Sequence, residues 1–445
     1  MNIQHDTWSG ETITRHVSII DTDLVKKLPT LLRILGAAAL IIAMYSFLAK
    51  GWQNGNDVLR YLLMLGHTGI LAAVGLASGH WLKESKGARL LLTLALVSVP
   101  ANFAILGAFI FSQAAAVDIG QYPHYVAWTV ESLTTALLTS GGAMLILVPI
   151  ILLGFTVLAR GMSRNLSFLF LFSNAALLLP LRDPQLIGIL VLLLTTFTII
   201  FSRKTAHNSC AAKTQEGVTA LGLQLLPLGV LMGRSLWLYS ADLFLMTVLS
   251  ITVFFIMRQI SLYFESGSKL RNVFDGLSLL PAASTAISFS ATLHEMASFP
   301  EALAFPFGAF ASAAMVYDIS RRGSNNRAFY RNIAAGGLVL CMIANQILFT
   351  SQIAALASAA IGLALFLYGY NAQQRSIFTG GVVLMMAGIT QQFYELVHHF
   401  DLGGWASLAT LGIVAIVAAS AMESQGGKYK LRLENWKAKF QQWEK

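Results

Sequence analysis

The stretch "QQFYELVHHFD", residues 391–401, places two amides, a carboxylate and two imidazoles at the end of an apolar segment. At about 100° per residue, its polar side chains fall within an arc of about 120° on one helix face. They are Gln391, Gln392, Glu395, His398 and His399. Carboxylate and imidazole groups exchange protons near neutral pH, so Glu395 with His398 or His399 could form a cation or proton relay. The alternative is that the patch is only the polar end of a helix near water.

The same face could instead bind a polar or lipid headgroup. Its amides would then line an outward pocket together with Arg234, which is expected at the same side of the membrane. His294 and Glu295 close another apolar run on that side. An arginine at membrane depth usually pairs with a carboxylate or extends to the interface, so we predict that Arg234 pairs with Glu395 or Glu295.

A metal site is disfavoured by the spacing of the possible ligands. Those ligands would be His294, Glu295, Glu395 and His398 or His399. Adjacent histidines on a helix point about 100° apart, and no HExxH sequence occurs. The chain also lacks the GxxxxGK[ST], GxSxG and GxGxxG motifs. The sequence therefore predicts no metal, no cofactor and no identifiable catalytic residue.

Composition defines the elements that must position these residues. Of the 445 residues, 56% are hydrophobic and 11% charged, whereas a soluble protein carries about 25% charged residues. Repeated apolar runs of about 17–24 residues match the length of a bilayer-crossing helix. The sequence therefore predicts an all-α, polytopic transmembrane helix bundle.

Fourteen apolar runs are long enough to be considered as spans. We predict them at 31–49, 59–82, 89–112, 136–159, 165–181, 185–201, 218–238, 241–262, 273–293, 301–319, 332–349, 352–371, 376–399 and 403–421. Most of the joints are short, so the bundle is expected to consist of antiparallel helical hairpins. The predicted organisation is a cytoplasmic N-terminal tail at 1–30, a bundle at 31–422 and a cytoplasmic C-terminal tail at 423–445.

The distribution of basic residues predicts the orientation. With a cytoplasmic N-terminus, most of the 30 Lys and Arg residues fall in cytoplasmic segments, as the positive-inside rule requires. Only four basic residues are expected on the outer side of the membrane, namely Lys50, Arg60, Arg182 and Arg234. Both termini are therefore predicted to be cytoplasmic. The same dispersal over many short loops argues against nucleic-acid binding despite the net charge of +9.

The C-terminal tail "KYKLRLENWKAKFQQWEK" has the pattern of an amphipathic helix. Its apolar residues recur at intervals of three and four, with lysines beside them. They are Tyr429, Leu433, Trp436, Phe440 and Trp443. Such a helix is typical of one that lies on an anionic membrane surface, and docking to a partner membrane protein is the alternative.

Short internal repeats and buried amides suggest a polar interior. "GLQLLP" at 222–227 and "GLSLLP" at 276–281 are similar, and "NAALLLP" at 174–180 resembles both. The amides expected within outward-running spans are Asn102, Asn174, Gln224, Asn345, Gln346, Gln391 and Gln392. Because amides facing lipid are costly, these spans should face one another or a hydrated cavity.

Prolines within the predicted spans provide a further indication. Helix breaks are expected at Pro100, Pro149, Pro180, Pro227, Pro281 and Pro306. Broken helices are typical of transporter binding sites, although kinks compensated by neighbouring helices are also common.

Two regions of the chain resemble uncharacterised multi-span bacterial membrane proteins of the domain-of-unknown-function type. The first runs from "LRILGAAALIIAMYSFLAKGW" through "LALVSVPANFAILGAFIFSQ". The second is "GGVVLMMAGITQQFYELVHHFDLGGWASLATLGIVAIVAASAMES". The resemblance implies a bacterial inner membrane and many helices, and it carries no activity.

The sequence favours transport or flipping of a small polar or lipid-linked solute through a polar cavity open to the outer side. The first alternative is a non-catalytic membrane subunit or scaffold of a larger complex. The second is an outer-leaflet transferase or hydrolase with Glu395 or a histidine as base. A transporter should have a polar cavity beside Gln224, Asn345 and Gln391, whereas a scaffold should have those amides bonded within a closed bundle.

Overall fold

A computed structural model describes most of the chain. The described ranges are 28–40, 56–81, 85–114, 128–207, 209–239, 242–265, 267–322, 326–349 and 351–399, with isolated residues at 42, 43, 46, 83, 413, 416, 420 and 440. Side chains at 207, 237–239 and 395–399 lie outside the description. Throughout the described residues the regular structure is helical, without a strand.

The chain divides into two compact units, Met1–Ser240 and Ala241–Lys445. In the first unit the helices are α1 Leu28–Leu40, α2 Asp57–Trp81, α3 Ser85–Ala114, α4 Leu133–Leu158, α5 Ser163–Ala175, α6 Pro184–His207, α7 Gln215–Leu223 and α8 Leu226–Gly233. In the second they are α9 Leu243–Tyr263, α10 Lys269–Leu277, α11 Leu279–Glu295, α12 Glu301–Arg321, α13 Arg327–Leu348, α14 Gln352–Ala372 and α15 Arg375–His399. Several consecutive helices pack against each other, namely α2 with α3, α3 with α4, α11 with α12, α12 with α13 and α14 with α15. In contrast, α7–α8 and α10–α11 are successive parts of single candidate spans.

Within the described residues, eleven helical segments have the length and apolar composition to cross a bilayer. This identifies a multi-pass helical membrane protein. Three of the fourteen predicted spans are not among the eleven. The span at 31–49 is described mainly through α1, the span at 165–181 contains the short α5, and the span at 403–421 lies almost wholly outside the described residues.

Helix α3 is the central helix of the first unit. In its most apolar window 78% of the residues are buried, against 28–50% for the other candidate spans. Leu92 and Ala95 of α3 pack against Leu71 and Ala72 of α2. The polar side chains of Ser98 and Asn102 in α3 are fully buried, and since polar groups facing lipid are costly, they favour a central position for this helix.

The predicted breaks occur at only some of the prolines. Pro100, Pro149 and Pro306 lie inside the continuous helices α3, α4 and α12. In contrast, α7 gives way to α8 at Gln224 and Leu225, just before Pro227. At Pro100, Pro149 and Pro306 the expected break is absent, and the helix continues despite the lost hydrogen bond, in line with the alternative of compensation by neighbouring helices.

The repeats "GLQLLP" and "GLSLLP" have the same local structure. Each helix ends at the second residue of the repeat, α7 at Leu223 and α10 at Leu277. Each of these residues stands four before a proline, Pro227 or Pro281, so its carbonyl loses the amide partner that would continue the helix. In the third repeat, α5 ends at Ala175 and a 3₁₀ turn, Ala176–Leu178, precedes Pro180.

Helices α14 and α15 form the closest pair in the second unit. Gly362 and Gly369 of α14 lie against the backbone of α15, and Gly381 and Gly388 of α15 lie against the backbone of α14. The spacing of seven residues on both helices keeps the glycines on the contact face. Small residues allow this approach because no Cβ separates the two backbones.

Candidate functional site

Buried amides in the first unit are bonded to neighbouring groups through their NH₂ ends. Asn102 Nδ2 of α3 donates to Thr68 Oγ1 of α2 and to the Ser98 carbonyl, both at 2.9 Å. Thr68 Oγ1 lies 3.0 Å from Ser98 Oγ. All three side chains are fully buried. The predicted site residue Asn102 therefore belongs to a polar contact that joins α2 to α3.

The second unit contains two comparable amide contacts. Asn345 Nδ2 of α13 donates to the Ala302 carbonyl of α12 at 2.9 Å. Gln392 Nε2 of α15 donates to the Gln352 carbonyl at the start of α14 at 2.7 Å. Gln346 is buried, and its Nε2 has no hydrogen-bond partner among the described residues. These amides connect adjacent helices through backbone carbonyls.

The patch that ends α15 is described only at its beginning. Gln391 and Gln392 are half-buried and helical, and the helix continues to His399. The side chains of Glu395, His398 and His399 lie outside the described residues, and so does Asp401. The relay and the headgroup pocket proposed for this patch therefore stay predictions.

His294 and Glu295 lie at the exposed end of α11. The His294 ring centroid is 6.4 Å from that of Phe349, which follows α13. Among the described residues, no group of three or more His, Cys, Asp or Glu side chains could hold a metal ion.

Arg234 is buried at the point where α8 changes into a π-helical turn, Arg234–Tyr239. Its NH1 group donates to the Leu177 carbonyl at 3.0 Å. Leu177 lies in the 3₁₀ turn after α5, and its carbonyl approaches Gly107 of α3 so closely that a Cβ there would overlap it. The predicted pairing of Arg234 with Glu395 or Glu295 would join the two units and stays a prediction.

A second set of buried polar groups lies on α5, on α6 and at the break after α7, and we call it the polar seam. Its members are Ser167, Ser173, Asn174, Thr195, Thr198, Ser202 and Gln224, each with at most 7% of its surface exposed. Every one has an oxygen without a hydrogen-bond partner among the described residues. Elsewhere in the unit, Ser140, Thr156 and Ser235 donate to the carbonyl four residues earlier. The seam hydroxyls lack this common hydrogen bond to the carbonyl four residues earlier.

Two aromatic contacts define how α5 and α6 are aligned. Phe168 lies 6.5 Å from Phe201, and Phe172 lies 5.3 Å from Phe197, measured between ring centroids. A step of four residues toward the C-terminus of α5 thus corresponds to a step of four residues toward the N-terminus of α6. This alignment places Ser167 at the level of Ser202 and Asn174 at the level of Thr195. The seam therefore extends about 10 Å along the two helices.

The two seam amides have fixed orientations. Asn174 Nδ2 donates to the Phe170 carbonyl at 2.8 Å, and Gln224 Nε2 donates to the Leu166 carbonyl at 3.2 Å. Both NH₂ groups are thus occupied by backbone. The oxygens Asn174 Oδ1 and Gln224 Oε1 remain as buried acceptors, so the seam combines two acceptors with hydroxyl groups that can donate or accept.

The second unit contains a buried ion cluster, formed by Arg258, Ser261, Asp275, Asp318 and Arg322. Arg258 NH1 of α9 donates to Asp275 Oδ1 of α10 at 2.9 Å, and its Nε lies 3.3 Å from Asp318 Oδ2 of α12. Ser261 Oγ also donates to Asp275 Oδ1, and Arg322 pairs with Asp318 at 2.8 Å. The side chains of Arg258 and Asp275 are 2% and 0% exposed. The cluster therefore connects three helices next to the break at Ser278.

Of the polar seam, Gln224 and Asn174 were predicted from the sequence as amides that face one another or a hydrated cavity, whereas the hydroxyl members were not predicted. The ion cluster was not predicted, because Arg258 was counted only among the basic residues of the cytoplasmic side, and Asp275 and Asp318 were not considered as its partners. A usable signal existed for both. Charged residues interrupt three successive apolar segments, and Thr195, Thr198 and Ser202 recur at intervals of three and four on α6.

Comparison with protein-family models, with curated proteins and with solved structures gave no match. The resemblance to uncharacterised bacterial membrane proteins stays a prediction. Function is accordingly inferred from the chain's own residues.

The C-terminal tail is described only at Phe440. Its ring lies 5.7 Å from that of Phe378 in α15, and its carbonyl accepts from Arg375 Nε at 2.8 Å. Phe440 thus contacts the first turn of α15. The other members of the predicted apolar stripe, Tyr429, Leu433, Trp436 and Trp443, lie outside the described residues.

Proposed function

We propose that this chain transports or flips a small polar or lipid-linked solute across the membrane. The observation that carries the proposal is the pair of interrupted spans, each with a fully buried polar side chain at its break. Gln224 lies at the break between α7 and α8, and Ser278 at the break between α10 and α11. Interrupted spans with buried polar groups are characteristic of transporter binding sites.

The depth of the breaks supports this proposal. Gln224 and Ser278 each follow the start of their span, Gln215 or Lys269, by nine residues. At about 1.5 Å per residue this distance is about 14 Å, close to half of a hydrocarbon core of about 30 Å. Counted from these helix starts the breaks would lie near the bilayer midplane, and counted from the predicted spans 218–238 and 273–293 they would lie about 8–9 Å inside the hydrocarbon core. At either depth irregular backbone is tolerated only inside protein or beside water.

We further propose fourteen spans with both termini cytoplasmic, in a bacterial inner membrane. The three spans beyond the eleven would be formed by the segment that contains α1, by α5 with its 3₁₀ turn, and by residues 403–421. The opening of the solute pathway toward the outer side stays a prediction, and so does contact of the tail with the membrane surface or with a partner protein.

The number of spans depends on whether α5 crosses the membrane, because this helix is shorter than a typical span. With its 3₁₀ turn it covers 163–178, about 23 Å at 1.5 Å per residue. We expect Gln185→Cys, beyond its end, to react with a membrane-impermeant maleimide in intact cells, and Arg164→Cys to react only after the membrane is disrupted. Both native cysteines, Cys210 and Cys341, are first replaced. Labelling of both positions from one side would contradict a fourteen-span topology.

Transport is tested with the purified full-length chain in proteoliposomes. Entry of glycerol and erythritol is followed by stopped-flow light scattering, potassium flux by a voltage-sensitive dye, and flipping by dithionite reduction of an NBD-labelled phospholipid. We expect at least one probe to cross faster than in protein-free vesicles, and Gln224→Leu to slow it. If no probe crosses faster than in protein-free vesicles, the transport proposal is wrong for these solute classes.

A non-catalytic membrane subunit is the second candidate function. The amide contacts favour it, because Asn102, Gln224 and Asn345 all donate to groups within their own unit. This was the expectation for a scaffold with a closed bundle. Co-purification of a stoichiometric partner, together with the absence of flux in all the assays above, would favour this candidate over transport.

A further inference from the structure

We propose that the polar seam of the first unit binds a small uncharged solute that carries hydroxyl groups. This inference rests on the proposed transport function and names its substrate class. Seven buried side chains with unpartnered oxygens lie on α5, on α6 and at the break after α7. A polar atom buried without a partner destabilises a protein by several kcal/mol in an apolar environment, so one isolated case would be tolerated more easily than seven.

The seam has an elongated shape that suits a chain of hydroxyl groups. Ser167 and Ser202 share one level, and Asn174 and Thr195 share another about 10 Å away, as the contacts Phe168–Phe201 and Phe172–Phe197 require. A metal or alkali cation needs several oxygens within one coordination sphere of about 2–3 Å radius. Groups distributed along two helices do not provide such a sphere.

The chemistry of the seam also selects against charged solutes. Its members are hydroxyls and amides, without a carboxylate or a basic group to balance an ion. A charge transferred there from water would lose its hydration without a counter-charge. In contrast, a polyol can donate to Asn174 Oδ1 and Gln224 Oε1, which are fixed as acceptors. It can also exchange hydrogen bonds with the hydroxyls of α6.

The break between α7 and α8 lies next to the seam. Gln224, at the break, donates to Leu166 of α5, the residue next to Ser167. Rearrangement of the break would therefore move one seam acceptor relative to α5. This arrangement links solute binding to the part of the span that lacks continuous helical hydrogen bonds.

The test uses full-length protein in proteoliposomes and the glycerol and erythritol assays described above. The seam variant combines Thr195→Val, Thr198→Val and Ser202→Ala. The control is Thr196→Val, which makes the same chemical change on the exposed face of α6. Because each lost hydrogen bond weakens binding by a factor of a few to about ten, we expect the seam variant to slow polyol entry at least about tenfold. The control should not slow it.

Folding of the variants provides a second measurement. Removal of hydroxyls that lack partners should leave the thermal unfolding temperature of the seam variant equal to or above that of the parent. A seam variant that unfolds well below Thr196→Val would show that these hydroxyls stabilise the fold, and this would refute the proposal.

The remaining outcomes separate the two proposals. If potassium or labelled phospholipid crosses and the polyols do not, transport stands and the polyol site is wrong. If only water crosses faster than in protein-free vesicles, the seam conducts water and the solute assignment is also wrong. If no probe crosses, both proposals fail.

Discussion

The substitution Arg258→Met is expected to lower the yield of folded protein in detergent extracts to a small fraction of that of the parent. Arg258 is almost fully buried and bonds Asp275 of α10 and Asp318 of α12. Its loss leaves the fully buried Asp275 carboxylate with only the Ser261 hydroxyl, while Asp318 retains Arg322. Leaving one partner of a buried pair without the other costs about 3–5 kcal/mol. That is a large part of a stability of about 5–15 kcal/mol.

The measurement is the yield of monodisperse protein after gel filtration, together with the thermal unfolding temperature. The double variant Arg258→Met with Asp275→Leu should recover most of the lost stability, because it removes both buried charges. Arg322→Gln is the matched control. It removes an arginine of the same cluster that is half exposed, and such pairs contribute about 0–1 kcal/mol. An Arg258→Met protein as stable as Arg322→Gln would contradict the role assigned to the cluster.

Gly381→Ala is expected to separate α14 from α15. A Cβ at Gly381 would overlap the backbone nitrogen of Phe366 and lie 2.9 Å from the Gly362 carbonyl. Backbone cannot move aside as a flexible side chain can, so the two helices must shift apart. Overpacking of this kind typically destabilises a protein by about 1–3 kcal/mol, and a contact with backbone on both sides should reach the upper end.

Gly336→Ala provides the comparison. Gly336 also lies within a helix, α13, but an added Cβ would meet nothing within 4 Å. Because Ala favours a helix by about 1 kcal/mol relative to Gly, this variant should unfold at the same temperature as the parent or higher. Thermal unfolding of both variants in the same detergent measures the difference. Equal unfolding temperatures would mean that the α14–α15 contact is not as close as described.

The predictions from sequence were most accurate for the positions of the spans, because hydropathy is a property of each residue by itself. Apolar runs define spans because every buried residue is transferred individually from water to hydrocarbon, and eleven of the predicted spans correspond to described helices of sufficient length. The repeated "LLP" sequences also marked real helix ends at Leu223 and Leu277. A proline always removes the same backbone hydrogen bond, whatever its surroundings.

The prolines fall into two groups that the adjacent sequence distinguishes. A helix ends four or five residues before Pro180, Pro227 and Pro281, each of which follows two leucines. Pro100, Pro149 and Pro306 do not follow two leucines and lie inside continuous helices. Burial does not separate the two groups, because the apolar windows of α4 and α12 are 39% and 33% buried, against 50% for the interrupted span Gln215–Leu236.

The sequence by itself determined a multi-pass helical protein with amides in its interior and with helix ends before the Leu-Leu-Pro sequences. Only the tertiary structure decided which polar groups meet. Arg258 and Asp275 are 17 residues apart, Arg258 and Asp318 60 apart, and Gln224 and Leu166 58 apart. Hydropathy depends on the residue and its depth, whereas these contacts depend on helix order, register and rotation. Those three quantities are set by packing between helices, which is why the ion cluster and the polar seam emerged only from the fold.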